Sequence, residues 1–570
     1  MSLNKSDFPV ADFAGGLDVS VPATRLDPSK TPNCSNVRWK NGAVEKRPGF
    51  VWQANAPAGL ATTPGIILGG IHAQTYGSTA PKAVKRFTLV GIDAATPFKQ
   101  TCMFYLSDAT TWTEYDATPT LPVVVTSWAA VSGQLSVDYW LNTCSVVTDV
   151  DLDGAEDSDQ TVFNVTPTEP VNLASGATLF AGDGEVNAAF GTSLYAKSIV
   201  TYFKRLVRFG TPKSHVISWS AAWEPTNYTT GDYEVAYVYD TGGAIMNGAL
   251  LQDTVVCYKD DSIWVGTRLT STPYIRWSCK YPDVGLMAPR LLTQFGNYHI
   301  FVGNNNIYAY AGGSELYDIG TPIWTTFLAD IRKGRVAANQ VYRNRCFAST
   351  HRDTGDICFW IVTGTALWPN KAYVYNWFDK TWTIWTLPTD SNSNQLVFTG
   401  WAEYDTDHSL TLSAATTYEH VPFYFALQQA SNGTLSNCRI LYYSDATYAD
   451  CSPTATSAES TSAISAFIET KTFTGSLDEA TNWARVVADA RGLAASSPLS
   501  VHVSTDDGYS YDTARTQTLA ATNYAVYLYA VNLSAKSIRY KFSDADAPSG
   551  KAFALRGFQI VPSEDERKAQ

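Results

Sequence analysis

The densest run of chemistry-bearing side chains is Asp149-Val-Asp151-Leu-Asp153-Gly154-Ala-Glu156-Asp157-Ser-Asp159. Oxygens at alternate positions can wrap a hard cation, and a glycine after the third aspartate permits the sharp turn a calcium loop needs. The spacing makes Asp149, Asp151, Asp153 and Asp157 candidate ligands for Ca2+, the one cofactor that the sequence suggests. Two features depart from the pattern. Gln160 stands where such a loop carries its bidentate glutamate, and strand-like segments (VDYWLN before, QTVFNV after) replace flanking helices. The alternative is a solvated acidic turn, since unpaired carboxylates this close repel one another.

Other groups are dispersed. Hydrolysis of a glycosidic bond needs two facing carboxylates. Asp283, Glu315 and Asp318 are candidates, but spacing alone singles out no pair. The seven histidines include no HExxH and no i,i+4 pair, so each reads as an ordinary strand or loop residue. There is no GxSxG, P-loop or GxGxxG. Basic residues cluster at Lys204, Arg205 and Arg208, where they alternate along an expected strand, and at Arg343 and Arg345, with Arg352 close by. Such charges either protect sheet edges and aid solubility or contact a neighbouring subunit or passing DNA.

Composition narrows the class. The 570 residues exceed one ordinary core. Charged residues make up 16%, below the usual quarter, and aromatics 13%. The net charge of −12 excludes a surface-wide basic footprint for nucleic acid, although an acidic channel would still let DNA pass without holding it. Nine scattered cysteines without a CxxC pair argue against a zinc ribbon or disulfide scaffold. The opening residues lack an apolar leader core and no run of about 18 apolar residues occurs, so synthesis in a reducing cytoplasm is expected.

The elements that would position these groups are hairpins. The clearest is Lys371 to Leu387, KAYVYNWFDKTWTIWTL, two aromatic and β-branched arms around a polar turn at Asp379-Lys380. Its Trp377, Trp382 and Trp385 read as packing between strands or blades. Similar units recur at 85–115, 204–220, 253–267, 297–311 and 484–542, and Asn41-Gly42 marks a two-residue hairpin turn. One helix is predicted, Thr321 to Arg332. The expected fold is all-β, a divergent propeller of about six blades. Residues 1–60 form an N-terminal arm and first hairpin, and 61–116 propeller blade structure. An acidic insertion at 117–187 carries the calcium-like loop. Blades resume over 188–390, a linker or projecting loops span 391–461, and 462–570 form a C-terminal β-sheet region that closes the propeller.

Two resemblances bear on function. Ser504-Thr-Asp506-Asp-Gly508-Tyr-Ser510-Tyr511 resembles the Asp-box of sialidases and other propellers, a hairpin turn without a catalytic role; Ser107 to Trp112 is a degraded version. More broadly, the chain resembles the tail nozzle or tail hub proteins of short-tailed bacteriophages, the family that includes tail tubular protein B. The likeness rests on Asn36, Gly42 and Lys46-Arg-Pro-Gly49; on Arg205 to Phe209 with Ser218-Trp-Ser220 and Glu224-Pro-Thr226; and on Asp253 to Thr267, Tyr281 to Arg290 and Asn297 to Ala311. It ends with Trp483 to Asp489, Asp506-Asp-Gly508 and Leu555 to Ile560. The insertion and the 391–461 segment depart from it. The resemblance implies a virion protein: a closed ring, commonly a hexamer, below the portal-proximal adaptor. Such a ring lines the DNA exit channel, retains DNA until attachment and anchors fibres or spikes. The family carries no catalytic residues, so the expectation is that the chain is not an enzyme. The alternative is a sialidase-like propeller enzyme or a carbohydrate-binding tail protein, and a secreted adhesin is a third reading.

Overall fold

The computed structural model describes residues 8–10, 13–55, 66–76, 83–93, 99–106, 113–115, 137–140, 144–148, 162–165, 196–210, 213–224, 228, 230–333, 340–405, 418–454, 461–475, 480–520, 523–544 and 550–562. Its strands build a six-bladed β-propeller and a β-sandwich.

Each blade is four antiparallel strands. Blade one holds Ile66–Tyr76, Ala83–Asp93, Lys99–Leu106 and Thr113–Tyr115. Blade two holds Ser198–Tyr202, Arg205–Phe209, Val216–Trp219 and Glu234–Tyr237. Blade three runs through Ile245–Leu251, Thr254–Lys259, Ile263–Arg268 and Ile275–Tyr281, and blade four through Leu292–Phe295, Tyr298–Val302, Ile307–Gly312 and Glu315–Asp318. Blade five is Phe347–His351, Asp356–Ile361, Lys371–Asn376 and Thr381–Thr386, so the Lys371 hairpin is its outer half, paired Lys371 to Thr386 and Asn376 to Thr381. Inner-strand positions alternate across the sheets and lock blade to blade with apolar side chains. Trp382 and Trp385 are buried as expected, and their indole nitrogens donate to Ile319 O and Val37 O.

Blade six corrects two expectations. Residues 391–461 are not a linker: Gln395–Asp405, His420–Gln429 and Leu435–Ser444 are its three inner strands. Phe398, Tyr424, Leu427 and Tyr443 supply the buried faces of these strands. Nor does the C-terminal region close the ring. The fourth strand of blade six is Gly49–Asn55, from the N-terminal arm, paired with Leu435–Ser444. The inner strands of blades one and six also meet directly, in parallel, at Trp401 and Gly69.

Residues 462–562 and the arm together form the sandwich. One sheet is ordered Ala525–Ala535, Thr481–Gly492, Phe553–Pro562, Ala43–Lys46, Val37–Lys40, with Phe8–Val10 added to Phe553–Pro562. The other is ordered Cys34–Ser35, Phe467–Glu469, Ser537–Ser543, Ser497–Ser504, Arg515–Leu519. Phe13, Phe542 and Phe558 pack together between them. The Asn41-Gly42 turn joins Val37–Lys40 to Ala43–Lys46 with φ of 53° and 74°, the conformation that this dipeptide favours. The predicted helix is present as Trp324–Ile331, with Phe327 and Ile331 buried. Part of the 117–187 insertion is a separate three-stranded sheet, Val137–Trp140, Cys144–Thr148 and Val162–Val165, lying against blades one and two.

The arm is fastened by one buried network. Arg47 Nη1 lies 2.9 Å from Asp450 Oδ1, and Nη2 reaches Asp450 Oδ2. Arg47 Nε donates to Asn36 Oδ1 at 3.0 Å and Nη2 to Thr386 O at 3.1 Å. Removing one partner of a buried pair strands the other charge. Arg47→Met is therefore expected to cost about 3–5 kcal/mol in urea unfolding. Arg352→Met, at a 59% exposed side chain 2.9 Å from Glu403, should cost no more than about 1 kcal/mol. Equal midpoints for the two variants would show that Arg47 does not hold the fold closed.

Candidate functional site

The inner strands of all six blades converge on a cavity of ≈ 560 Å³. Its wall takes Leu68 to Gly70 from blade one, Ile199 to Thr201 from blade two, Asn247 to Leu250 from blade three and Leu292 to Gln294 from blade four. Phe347 and Ala348 of blade five and Trp401 of blade six complete it. This is the propeller axis, where strands from sequence-distant hairpins bring their side chains to one place and where binding sites of closed β architectures form.

Arg290 is the charged group of the described wall. It precedes the inner strand of blade four and reaches across the axis, where Nη2 donates to Leu68 O at 2.9 Å and Thr399 O at 3.0 Å. Its guanidinium stands over the Phe347 ring at 5.2 Å, and Nη1 is buried without an acceptor. Burial pulls its pKa down to about 10, so it stays a cation at neutral pH. Gly400 permits this crossing: a Cβ there would lie 1.9 Å from Leu68 O and 2.8 Å from Arg290 Nη2. No carboxylate belongs to the described wall, so Arg290 faces the cavity without a counter-ion there.

His299 also borders the cavity, with both nitrogens engaged. Leu250 O, 2.9 Å from Nε2, can only accept, so Nε2 carries the proton and Nδ1 accepts from the Tyr258 hydroxyl at 2.9 Å. Burial holds its pKa down at about 4. Asn247 is similarly occupied: Nδ2 donates to Pro289 O at 2.7 Å, and Oδ1 accepts from Ser198 Oγ at 2.7 Å. Thr293 and Thr350 share a hydrogen bond of 2.6 Å. The wall is therefore rigid and mostly neutral, and Arg290 is where a ligand would find charge.

The residues singled out from sequence are not brought together. Asp149, Asp151, Asp153 and Asp157 lie outside the described residues, as does Ser107 to Trp112. Asp283, Glu315 and Asp318 are exposed, the last two on the outermost strand of blade four, and none lines the axis. Lys204 sits in the hairpin turn with φ of 67°, not within a strand, and its Nζ rests 4.0 Å from the Trp223 ring. Arg205 is buried, paired with Asp232 and donating to Ser220 O at 2.9 Å. Arg208 is buried over the Tyr228 ring at 3.4 Å. Arg345 is buried, donating to Leu367 O at 2.7 Å with its guanidinium 4.5 Å from the Trp368 ring. Of these five, Lys204 and Arg343 keep accessible surface.

The Asp-box-like turn holds its predicted form, in the sandwich and not in a blade. Asp506 Oδ1 accepts from Ser504 Oγ at 2.7 Å and from Ser510 N at 2.9 Å. The Ser510 hydrogen bonds, side chain first, draw its pKa down to about 2. Arg290 was missed by the sequence reading. Its phrase YPDVGLMAPR is visible, but nothing local tells that this arginine crosses to carbonyls far away in the chain.

No family model matches this chain, and no curated protein matches it. Among solved structures it is similar to an exo-beta-1,3-galactanase from Phanerochaete chrysosporium, at 12% identity, covering 91% of this chain and 100% of that one, with a TM-score of 0.24. A subtype N11 neuraminidase-like protein of A/flat-faced bat/Peru gives 9% identity over 72% of this chain and 96% of that one, TM-score 0.30. A glycoside hydrolase family 43 arabinoxylan arabinofuranohydrolase from Bacillus subtilis gives 8% over 87% and 96%, TM-score 0.20. Likeness at these identities speaks of fold alone. With glycoside hydrolases prominent among these matches, the expectation that the chain is not an enzyme is corrected and is not carried further.

The His299 geometry has a pH signature. The folded pKa, about 4, lies below the ordinary 6.5, so the stability tied to the neutral imidazole is present above pH 6.5 and lost as pH falls towards 4. His299→Gln removes this titration. Between about pH 7 and pH 4.5 the wild type should lose about 2–3 kcal/mol more than the variant, read from paired urea unfolding curves. Parallel pH profiles would show that His299 does not stay neutral in the fold.

Proposed function

We propose that this chain is a tail protein of a short-tailed bacteriophage whose propeller engages carbohydrate, either holding it or cleaving it in the manner of a sialidase-like propeller. The observation that carries the reading is the axial cavity. It is concave, walled by six blades, and presents a guanidinium without a carboxylate counter-ion in its described wall. A cation in a low-dielectric cleft draws anions to it, so sugars bearing a carboxylate suit it better than neutral ones. The first blade's side chains from residue 71 onward lie outside the described residues, and a catalytic pair of carboxylates would have to include groups beyond the described wall.

A second reading keeps the chain as a structural subunit of the distal tail ring. The phrase that carries the phage resemblance, Asn36 with Lys46-Arg-Pro-Gly49, supports it, because those residues fasten arm, sandwich and sixth blade into one body. On this reading the partners are further copies of the chain in a closed ring, a tail adaptor, and fibres or spikes, with phage DNA as passenger. Calcium in the Asp149 loop would stiffen the insertion.

Two measurements test the readings. Incubation with a panel of acidic and neutral host polysaccharides should give retention on at least one acidic glycan or release of reducing sugar. Neither effect across the panel would remove the carbohydrate reading. Electron microscopy of the purified chain with its adaptor should show rings with a central opening if the structural reading holds. Persistent monomers with adaptor present would remove it.

A further inference from the structure

A second concave surface lies away from the axis. The outermost strands of blades two and three, Glu234–Tyr237 and Ile275–Tyr281, diverge at the propeller rim and leave a groove of ≈ 570 Å³. Tyr233, Tyr237 and Trp277 contribute aromatic surface, Trp219 borders the groove as a buried side chain, and Glu234 and Arg276 contribute one charge of each sign. Tyr237 is 48% exposed and stacks on Tyr239, with centroids 5.3 Å apart and planes 9° from parallel. Trp277 is held edge-on by Phe209, with planes 89° apart. Glu234 ties the two strands together, its Oε2 accepting from Tyr274 N at 2.9 Å.

Two indole N–H groups that border the groove lack a partner within the described residues. The indole Nε1 atoms of Trp219 and Trp277 are both buried, and neither has an acceptor. A buried N–H left unpaired costs about 1–3 kcal/mol, so two in one groove call for an oxygen from outside the chain. We infer that this groove binds a neutral oligosaccharide. The C–H faces of a pyranose lie flat on aromatic rings. Its hydroxyls can accept from indole N–H and from Arg276, and can donate to Glu234. An extended peptide adding to the sheet edge is the other occupant to consider. Glu234 already bonds a backbone N–H across the two edges there, which suits a polyol above a strand.

This inference rests on the carbohydrate-directed reading and adds to it a site distinct from the axial cavity. The test titrates the full-length chain with neutral and, separately, with acidic oligosaccharides, following tryptophan fluorescence and calorimetric heat; binding of acidic sugars alone would overturn the groove assignment. Tyr237→Ala and Arg276→Ala alter exposed side chains and should leave the melting temperature unchanged. Each is expected to weaken binding about tenfold. Arg290→Gln, at the axis, should leave neutral-sugar binding as it is. If wild type binds and neither groove variant weakens it, the groove assignment falls while the carbohydrate reading stands. If wild type binds no oligosaccharide of either charge class, both fall. An extended peptide that binds the groove while sugars do not would also overturn the assignment.

Discussion

The fold depends on the buried guanidinium of Arg47. All five of its donors are used: Nε on Asn36 Oδ1, Nη1 on Pro48 O and Asp450 Oδ1, Nη2 on Thr386 O and Asp450 Oδ2. Asn36 is saturated in turn. Its amide donates to Thr386 Oγ1 and Ser465 O, and its oxygen also accepts from Thr386 N. Arm, blade five, blade six and the approach to the sandwich therefore meet at one side-chain pair. Next to it, Lys46 and Asp544 form a buried pair at 2.7 Å that fixes the sandwich. Gly49 lets the arm pass: a Cβ there would lie 1.8 Å from Ala449 O. The sixth blade takes its outer strand from the arm, and this network holds that strand in place. Arg47 and Asp450 are 403 residues apart, so this contact carries a large loop-closure cost.

The same logic applies at the axis. Inner strands of blades one and six run parallel and touch at a single pair, Trp401 and Gly69. Arg290 from blade four supplies what that thin junction lacks, two hydrogen bonds to its carbonyls. The guanidinium thus serves as a crossbar, and its uncompensated charge is a by-product that a ligand can use.

What could be read in the sequence was local. Asn41-Gly42, the Lys371 hairpin and the Thr321 helix were legible because turn chemistry and periodicity act over a few residues. Hairpin recurrence pointed to a propeller but did not count its blades, because the 484–542 hairpins belong to the sandwich and the sixth blade went unread. The sixth blade within 391–461 was hidden because Ser, Thr, Asn and Ala dominate the composition of that segment and mask its apolar alternation. The closing strand was hidden because its partner is about four hundred residues away. The basic clusters misled for a related reason. Arg205, Arg208 and Arg345 look like surface charge in a list, but each lies over an aromatic ring of its own chain, a pairing that only the fold creates.

The tryptophans give the sharpest distinction between scaffold and site. Trp39, Trp264, Trp360, Trp382, Trp385 and Trp483 are buried, and each donates its indole N–H to a named oxygen. They behave as packing groups whose polar handle has been accounted for. Trp368 is buried without an acceptor, but Arg345 covers its face, so nothing from outside can reach it there. Trp219 and Trp277 differ from all of these. Both border one groove at the rim, Trp219 as a buried ring and Trp277 as a half-buried one, and both handles are unmet. In a chain where aromatic residues are so common, the presence of a ring says little about binding. What separates the two classes is whether the N–H has been satisfied from within, and that criterion selects the groove between blades two and three.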